Sequence, residues 1–297
     1  MGEARAVLIA GPTASGKSAA ALDLAEAAAR RGRTAWIVNA DSMQVYEALR
    51  ILTARPGRDE EARAPHRLYG HVPASTRYSV GAWLHDAIKV LAEAQTAGAL
   101  PIVVGGTGLY FKALTEGLAP VPDIDAAIRA HWAARLALQG PAALHAELAA
   151  RDADADAAIR PGDPQRILRA LEVIEATGRP LAHWQEMPPE APLPASATLR
   201  VVIEPDRETL YRRIEERLDS MVGHGALEEV RAVLQLRLSP DLPVMKAIGV
   251  RQFAAVLDST MTLPEAVERA KTETRRYAKR QLTWFRNQMR DWPRSGG

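Results

Sequence analysis

The sequence predicts an α/β fold in which helices flank a mainly parallel sheet and an α-helical domain is inserted. Four short apolar runs, at residues 7–10, 35–40, 101–104 and 199–204, are typical of buried strands, and helical patterns lie between them. From about residue 123 to residue 197, strand patterns vanish and alanine-rich helix dominates. We therefore expect a core made of residues 1–122 and 198–297, with residues 123–197 as an inserted helical domain.

The first strand leads into residues 11–18, Gly-Pro-Thr-Ala-Ser-Gly-Lys-Ser, which match the phosphate-binding loop pattern G-x-x-x-x-G-K-[ST]. A helical stretch at residues 19–30 follows, so the strand–loop–helix context of the motif is complete. Backbone N–H groups of such a loop wrap a di- or triphosphate at the helix N-terminus. Lys17 would reach the terminal phosphates, and Ser18 would hold Mg²⁺. On this P-loop NTPase-like sheet we expect phosphate contacts from Gly11, Pro12, Thr13, Ala14, Ser15, Gly16, Lys17 and Ser18.

Polar segments follow the second and third strands, at the edge where ligands gather in parallel sheets. Asp41 follows the second strand, and its carboxylate could bind Mg²⁺ through water, act as a general base, or cap a helix. Gly105-Gly106-Thr107 follows the third strand. The Thr107 hydroxyl could donate to a bridging or leaving oxygen, or it could cap a tight turn. The residues alone leave these alternatives open.

The inserted stretch contains one clearly delimited helix. Asp163 followed by Pro164 predicts its start, and Gly178 followed by Pro180 predicts its end. The proline-rich residues 187–197 predict a connector back to the core. The first turns of the helix carry side chains that can hold phosphate or read a base edge, a weak signal when taken alone: Gln165, Arg166 and Arg169.

Positive charge is concentrated at the C-terminal end. Residues 245–297 hold eleven Lys and Arg against five Asp and Glu, a net charge of +6, whereas the other 244 residues have a net charge of −4. Residues 273–290 are expected to form one helix. Its apolar face would consist of Ala278, Leu282, Phe285 and Met289, and its basic stripe of Arg275, Lys279, Arg286 and Arg290. A phosphate backbone requires such a stripe, so the pattern favours nucleic acid as much as an ordinary solvated helix.

Composition excludes several kinds of site. The 297-residue chain has no cysteine, which rules out disulfides, cysteine–zinc centres and thiol catalysis. Its seven histidines lack the spacing of a zinc-binding helix, so we expect no zinc. No apolar run approaches the roughly 20 residues of a membrane span, and the N-terminus lacks a basic-then-apolar signal segment. We expect a cytoplasmic monomer that contacts no membrane.

Six segments, taken in order, resemble the tRNA dimethylallyltransferases (isopentenyl-tRNA transferases) of the bacterial type. They are the phosphate loop at 11–18, Asp-Ser-Met-Gln-Val-Tyr from Asp41, Gly-Gly-Thr-Gly-Leu-Tyr from Gly105, Asp-Pro-Gln-Arg from Asp163, Ile-Gly-Val-Arg-Gln from Ile248, and Arg-Tyr-Ala-Lys-Arg-Gln-Leu-Thr-Trp-Phe-Arg from Arg276. The resemblance covers residues 7 to about 286. The bacterial type is the better match because eukaryotic relatives carry a C-terminal zinc finger, which a chain without cysteine lacks.

The resemblance implies an Mg²⁺-dependent enzyme that transfers a dimethylallyl group from dimethylallyl diphosphate to N6 of the adenosine 3′ of the tRNA anticodon. It implies that Asp41 takes a proton from the adenine N6 amine and that Thr107 hydrogen-bonds the bridging oxygen of the leaving diphosphate. The phosphate loop and Arg217 would hold that diphosphate, so Asp41, Thr107 and Arg217 are the candidate catalytic residues. The anticodon stem-loop would be contacted by Asp41, Ser42, Met43, Gln44, Thr107, Arg129, Gln165, Arg166, Ile167, Leu168, Arg169, Met245, Lys246, Ala247, Ile248, Gly249, Val250, Arg251, Gln252, Lys279, Arg280 and Arg286.

Three positions depart from the family pattern: Leu52 replaces the usual glycine, Arg55 the usual lysine, and Val250 the usual tyrosine. Two other functions stay open at this point. A P-loop kinase of a small metabolite would use ATP as donor and Asp41 as base, but it leaves the basic C-terminal helix and the insertion unexplained. An RNA-binding, NTP-dependent switch would explain the charge distribution but gives no role to Thr107.

Overall fold

A six-stranded parallel sheet forms the centre of the fold. The computed structural model describes residues 4–187 and 190–296, and within them the strand order is β3-β2-β4-β1-β5-β6. The strands are β1 (Ala6–Ala10), β2 (Ala35–Asn39), β3 (His66–Arg67), β4 (Leu100–Gly105), β5 (Thr198–Ile203) and β6 (Arg294–Ser295). The predicted α/β fold with a parallel sheet is confirmed. The sequence analysis missed β3 and β6 because two-residue edge strands carry no apolar pattern.

Helices occupy most of the chain between the strands. They are α1 (Lys17–Ala29), α2 (Arg58–Arg63), α3 (Val80–Thr96), α4 (Gly108–Glu116), α5 (Ala126–Arg151), α6 (Ala153–Ala158), α7 (Pro164–Thr177), α8 (Leu181–Gln185), α9 (Arg207–Gly223), α10 (Ala226–Gln235), α11 (Val250–Leu257) and α12 (Leu263–Gln288). Within the described ranges, no helix combines the length and the apolar character needed to cross a bilayer.

The chain divides into two compact units, and the first consists of Met1–Glu116 together with Ala191–Gly297. Every residue of β1 and β4 is buried, as expected for central strands of a parallel sheet that is covered on both faces. The carboxyl ends of β2 and β4 meet at Gly105, where an added Cβ would lie 2.1 Å from the carbonyl carbon and oxygen of Ala40. Only glycine fits there, and this close approach brings the loops after the two strands together.

The second unit, Gly117–Glu190, is helical. Its core consists of Trp132, Leu144, Leu148, Ile167, Ala170 and Leu171. Helix α7 begins and ends as predicted: the Asp163 carboxylate accepts the Arg166 N–H at 3.2 Å, and Gly178 ends the helix with φ 68°. The functional division into residues 1–122 with 198–297 and an inserted domain of 123–197 stays a prediction. Residues 188 and 189 of the predicted connector lie outside the described residues.

The C-terminal helix is longer than predicted. Helix α12 starts at Leu263 rather than near residue 273, because Thr262 and Glu265 form a capping box, in which the Thr262 Oγ1 accepts the Glu265 N–H and the Glu265 carboxylate accepts the Thr262 N–H. It ends at Gln288. Ala278 and Phe285 are buried as the apolar face required, which fixes this helix against the core.

Candidate active site

The phosphate loop has the backbone shape that an anion cradle needs. Between β1 and α1 the chain turns through left-handed conformations at Ala14, with φ 62°, and Gly16, with φ 92°, and the Ser15 N–H donates to the Pro12 carbonyl at 3.2 Å. At Gly11 a Cβ would lie 2.6 Å from Ser15 Oγ, so the loop closes tightly. Among the described residues the buried Ser15 Oγ has no hydrogen-bond partner. The loop therefore fits the cradle expected from residues 11–18.

Three cationic side chains converge on this loop. The Lys17 ammonium donates to the Pro12 carbonyl at 3.2 Å, and the Arg213 guanidinium donates to the Ser15 carbonyl at 3.2 Å. Arg213 and Arg217 lie one turn apart on α9 and therefore share a face of the helix. Together with residues 14–19 they line a cavity of about 260 Å³. The sequence analysis missed Arg213, although its spacing from Arg217 is a signal that helical periodicity offers.

Burial shapes the charges of this cavity. It lowers the pKa of Lys17 to about 8, partly offset by the nearby Asp41 carboxylate. Burial likewise lowers the pKa of Arg217, and Asp41 again opposes the effect. A buried cation without a paired anion is unfavourable. The cluster is therefore suited to a ligand that brings negative charge.

Asp41 stands at the end of β2 in a fixed orientation. Its Oδ1 accepts the Met43 N–H at 2.9 Å, and its own N–H donates to Asn39 Oδ1 at 2.9 Å. Asn39 is fully buried, and its amide donates to the Asp41 and Leu68 carbonyls. Oδ1 therefore caps a turn and not the helix considered from the sequence, because residues 42–45 form turns. The other oxygen, Oδ2, lies beside Gly106, 3.3 Å from where a Cβ would stand.

The carboxylate of Asp41 acts on several hydroxyl groups around it. Burial raises the pKa of Tyr277, and the negative charge of Asp41 raises it further. The same two causes, with burial the larger, raise the pKa of Tyr69 and Tyr110. These tyrosines are therefore neutral hydroxyls across the physiological range.

Thr107 links the ends of β2 and β4. Its Oγ1 accepts the Ser42 N–H at 2.9 Å and donates to Ser42 Oγ at 3.3 Å, while its own N–H donates to the Ala40 carbonyl. The hydroxyl of Thr107 thus donates only a long hydrogen bond, and another acceptor at a shorter distance can take the place of Ser42 Oγ. The hydroxyl thus joins the Ser42 loop to the Thr107 loop, whereas the Tyr110 N–H of its own turn is accepted by the Thr107 backbone carbonyl. It keeps a donor that remains available.

A buried glutamine from α12 ties the two loops together. Gln281 Oε1 accepts the Thr13 N–H at 2.9 Å, and its Nε2 donates to the Gly106 carbonyl at 2.9 Å. A role for Gln281 could not be predicted from the sequence, because one of its partners lies 268 positions away. It fixes the spacing between the phosphate loop and the Thr107 loop.

An apolar cavity of about 280 Å³ adjoins the cationic one. Ala14 and Arg217 line both cavities, and Asp41 and Ser42 stand in the wall of the apolar one. The rest of its wall is largely apolar and includes Leu52, Ile214, Leu218, Met221, Ile248 and Phe253. The two cavities together suit a ligand with an anionic head and a short apolar group. The Asp41 carboxylate of the protein would lie beside that apolar group.

The segment 245–252 is only partly available for the expected RNA contacts. Val250 and Gln252 are buried, and Gln252 Oε1 accepts the Gly249 N–H at 2.9 Å, so for these side chains the interpretation as contacts is corrected to a structural role. Gln44 is also engaged, because its Nε2 donates to the Thr53 and Ala54 carbonyls. Exposed cations remain at Lys246 and Arg251. The cavity wall includes Lys246, Ala247, Ile248 and Gly249, whereas Met245 is half-buried.

The expected RNA contacts of the helical unit also need one correction. Ile167 is fully buried in the core of that unit, so its side chain reaches no surface, and Leu168 packs against the same core. Gln165, Arg166 and Arg129 are exposed. Arg169 is half-buried, and burial lowers its pKa.

The basic stripe of α12 is partly neutralised within the protein. Arg275 donates to the Glu215 carboxylate at 2.8 Å, and Arg286 donates to the Glu204 carboxylate at 2.9 Å. Two of the four cations of the predicted stripe are therefore engaged in ion pairs. Lys279 and Arg280 are exposed, and with Trp284 and Gln288 they line a groove of about 470 Å³. Cations beside an aromatic ring suit a single-stranded polyanion.

The departures at Arg55 and Val250 have local structural explanations. Arg55 donates to the Tyr46 carbonyl at 3.0 Å, and its guanidinium covers Gly70, whose added Cβ would overlap it at 1.8 Å. Val250 is buried at the start of α11.

Comparison with known proteins places the chain in the family that its motifs resemble. The chain matches a family model described as IPP transferase over residues 44–288. It is 54% identical over 288 residues to the tRNA dimethylallyltransferase of Chelativorans sp. (strain BNC1), which is 97% of either chain. It is 49% identical over 290 residues to the tRNA dimethylallyltransferase of Rhizobium meliloti (strain 1021), 97% of this chain and 94% of that relative.

Solved structures have the same fold. The full-length tRNA isopentenylpyrophosphate transferase from Bacillus halodurans matches with a TM-score of 0.67 and 34% identity, over 97% of this chain and 88% of that chain. A eukaryotic dimethylallyltransferase, crystallised acting on tRNA, matches with a TM-score of 0.79 and 28% identity, over 94% of this chain and 69% of that chain.

Proposed function

Since this chain belongs to the IPP transferase family of tRNA dimethylallyltransferases, we propose that it transfers a dimethylallyl group from dimethylallyl diphosphate to N6 of the adenosine 3′ of the tRNA anticodon. One observation supports this function most strongly. The phosphate cradle opens, through Ala14 and Arg217, into an apolar cavity that has Asp41 in its wall. A kinase would need a second polar site there, whereas an allylic group needs an apolar one.

The donor would lie with its diphosphate in the cradle and its hydrocarbon in the apolar cavity. The loop N–H groups, Lys17, Arg213 and Arg217 would bind the diphosphate and stabilise the negative charge that grows as it leaves. The Thr107 hydroxyl would donate a hydrogen bond to the bridging oxygen, in place of its long hydrogen bond to Ser42 Oγ. Preorganised donors of this kind are worth several kcal/mol, about 2.7–4 for one oxyanion-hole donor.

Asp41 would act as the general base. The adenine leaves its stack, at a cost of a few kcal/mol, and its N6 attacks the allylic carbon that carries the diphosphate. The new N6–C bond forms as the C–O bond breaks, the electron pair of that bond leaves with the diphosphate, and the N6 proton passes to Asp41. Because Met43 holds Oδ1, the free Oδ2 is the atom assigned to receive the proton.

The oxygens at the loop fit Mg²⁺, which prefers one or two protein oxygens together with substrate phosphates. Ser18 is exposed on the first turn of α1, and among the described residues the buried Ser15 Oγ is without a partner. We propose Ser18 as the protein ligand of this ion. Bound there, the ion would offset the charge of the leaving diphosphate.

The RNA partner would be the anticodon stem-loop. Exposed cations support this on each unit taken separately: Lys246, Lys279 and Arg280 on the first and Arg129 and Arg166 on the second. We propose a monomer as the working form. A tRNA substrate and bacterial relatives support a cytoplasmic location.

A transfer assay tests the proposal. Dimethylallyl diphosphate labelled in its hydrocarbon is incubated with unmodified tRNA, with Mg²⁺ or with excess chelator, and the label in the tRNA is counted. We expect Mg²⁺-dependent incorporation at an adenosine of the anticodon loop. Turnover of ATP without incorporation into any such tRNA would instead favour the kinase or the NTP-dependent switch.

Arg213→Ala is expected to weaken binding of inorganic diphosphate about 10- to 150-fold, because a hydrogen bond to a charged group is worth about 1.5–3 kcal/mol. Titration calorimetry in the presence of Mg²⁺ measures the effect. Arg212→Ala is the matched control, since this neighbouring arginine is exposed and does not line the cradle. Equal affinities of the two variants would remove Arg213 from the diphosphate site.

A further inference from the structure

The carboxylate of Glu229, on α10, holds a distant segment of backbone. The N–H groups of Arg50 and Ile51 donate to its Oε1 at 2.6 and 2.7 Å, and the N–H of Leu52 donates to its Oε2 at 2.9 Å. Hydrogen bonds to an ionised acceptor are roughly twice as strong as neutral ones. Three of them in succession fix residues 50–52 in a single geometry.

The residue after this segment meets the diphosphate cavity. The Thr53 carbonyl accepts a hydrogen bond from Arg217 Nη2 at 3.3 Å and another from Gln44 Nε2 at 2.9 Å. Burial disfavours the charge on Arg217, so the guanidinium depends on acceptors that are correctly placed. The position of Thr53 therefore decides where Arg217 points.

The same segment forms part of the apolar wall. Leu52 lines the cavity beside Gly249, and its Cδ2 lies 2.7 Å from where a Cβ on Gly249 would stand. Leu52 is also the third residue whose N–H Glu229 holds. The Glu229 carboxylate, which lies outside the cavity, thus determines where Leu52 and the Thr53 carbonyl are placed.

We propose that Glu229 is a positioning residue for the transfer: it holds residues 50–52 so that Leu52 closes the apolar cavity and the Thr53 carbonyl orients Arg217. This inference rests on the proposed function. Glu229 does not line either cavity, so its effect on the reaction passes through the segment it holds. The competing explanation is that its hydrogen bonds only stabilise the fold.

Glu229→Gln separates the two explanations. Whichever way the glutamine amide is turned, its NH₂ group faces at least one of the three backbone N–H groups and cannot accept a hydrogen bond from it. Residues 50–52 therefore lose at least one hydrogen bond, while the side chain keeps its size. Glu228→Gln is the matched control, because Glu228 is exposed on the same helix and pairs with Arg231 at 3.9 Å. Glu229→Asp, which keeps the charge but shortens the side chain, provides a second variant.

For Glu229→Gln we expect kcat for dimethylallyl transfer to fall about 10- to 100-fold, the usual cost of misplacing a reacting group by about 1 Å. We expect KM for tRNA to stay unchanged and Glu229→Asp to retain more activity than Glu229→Gln. Glu228→Gln should match the wild type. The kcat is calculated per folded molecule, with the folded fraction taken from single-turnover amplitudes. If Glu229→Gln only unfolds part of the protein, kcat per folded molecule stays at the wild-type value, and that result overturns the proposal.

A double-mutant cycle with Arg217→Ala tests the route of the effect. If Glu229 acts through Arg217, the Glu229→Gln change costs much less in the Arg217→Ala background than in the wild type. Equal losses in both backgrounds would overturn that route. Transfer by the wild type is measured alongside, so failure of the proposed function is seen separately, as a wild type that transfers no label.

Discussion

Asp41→Asn is expected to lower the rate of dimethylallyl transfer by about 10³-fold, within the 10²–10⁴ range of general-base contributions. Asparagine can still accept the Met43 N–H, so the turn at the end of β2 is preserved, but it cannot take the N6 proton. Single-turnover transfer of labelled dimethylallyl to tRNA measures the effect. Asp23→Asn is the control, because the side chain of Asp23 is 77% exposed outside the site.

Binding of inorganic diphosphate by the same variant is expected to be as tight as in the wild type, or tighter. Asp41 is the negative charge that faces Lys17 and Arg217, so removing it makes the cradle more favourable to an anion. Parallel losses of diphosphate binding and transfer would contradict the role of base and would make Asp41 a structural or metal-binding residue.

Lys17→Met is expected to lower kcat/KM for the donor about 10- to 150-fold, since it removes a charged hydrogen bond worth about 1.5–3 kcal/mol.

The pH dependence of donor KM in the wild type should also report the titration of Lys17. Because burial lowers the pKa of Lys17 to about 8, the amine loses its charge above pH 8 and donor KM rises there. Lys17→Arg keeps its charge, so its donor KM should stay flat between pH 7 and about 9. A wild-type rise that persists in Lys17→Arg would assign the titration to another group.

Lys17 also gives a stability prediction with a definite sign. Its pKa is about 8 in the folded protein and 10.5 as the reference value, so between these limits the unfolded chain binds more protons and stability rises with pH. At pH 7 the charged, buried amine is a cost, and Lys17→Met should therefore unfold at a higher temperature than the wild type. The difference should close above pH 10.5. Lys89→Met, at an exposed lysine, should show no such dependence.

Local patterns in the sequence predicted the fold well. Apolar runs gave β1, β2, β4 and β5 to within one or two residues, and the loop motif gave the start of α1 near Lys17. These features depend on neighbours in sequence, which periodicity captures. The early start of α12 was missed although the signal at Thr262 and Glu265 is also local.

Partnerships between distant residues could not be predicted in this way. Gln281 bridges Thr13 and Gly106, and Glu229 holds residues 50–52, but nothing near these residues in sequence specifies a partner. The burial of Ile167 and the pairing of Arg286 with Glu204 also depend on residues distant in sequence, so the sequence did not reveal them. Residue type and spacing show what chemistry is available, whereas tertiary packing decides which groups remain free.

The central claim is that the phosphate loop holds a leaving diphosphate and not a transferred phosphoryl group. The most direct measurement counts, in one reaction with dimethylallyl diphosphate and unmodified tRNA, the diphosphate released and the prenylated adenosine found by mass spectrometry of the digested tRNA. We expect one diphosphate for each N6-dimethylallyl adenosine, located 3′ of the anticodon. Release of phosphate from ATP with a chemically unchanged tRNA would contradict the claim.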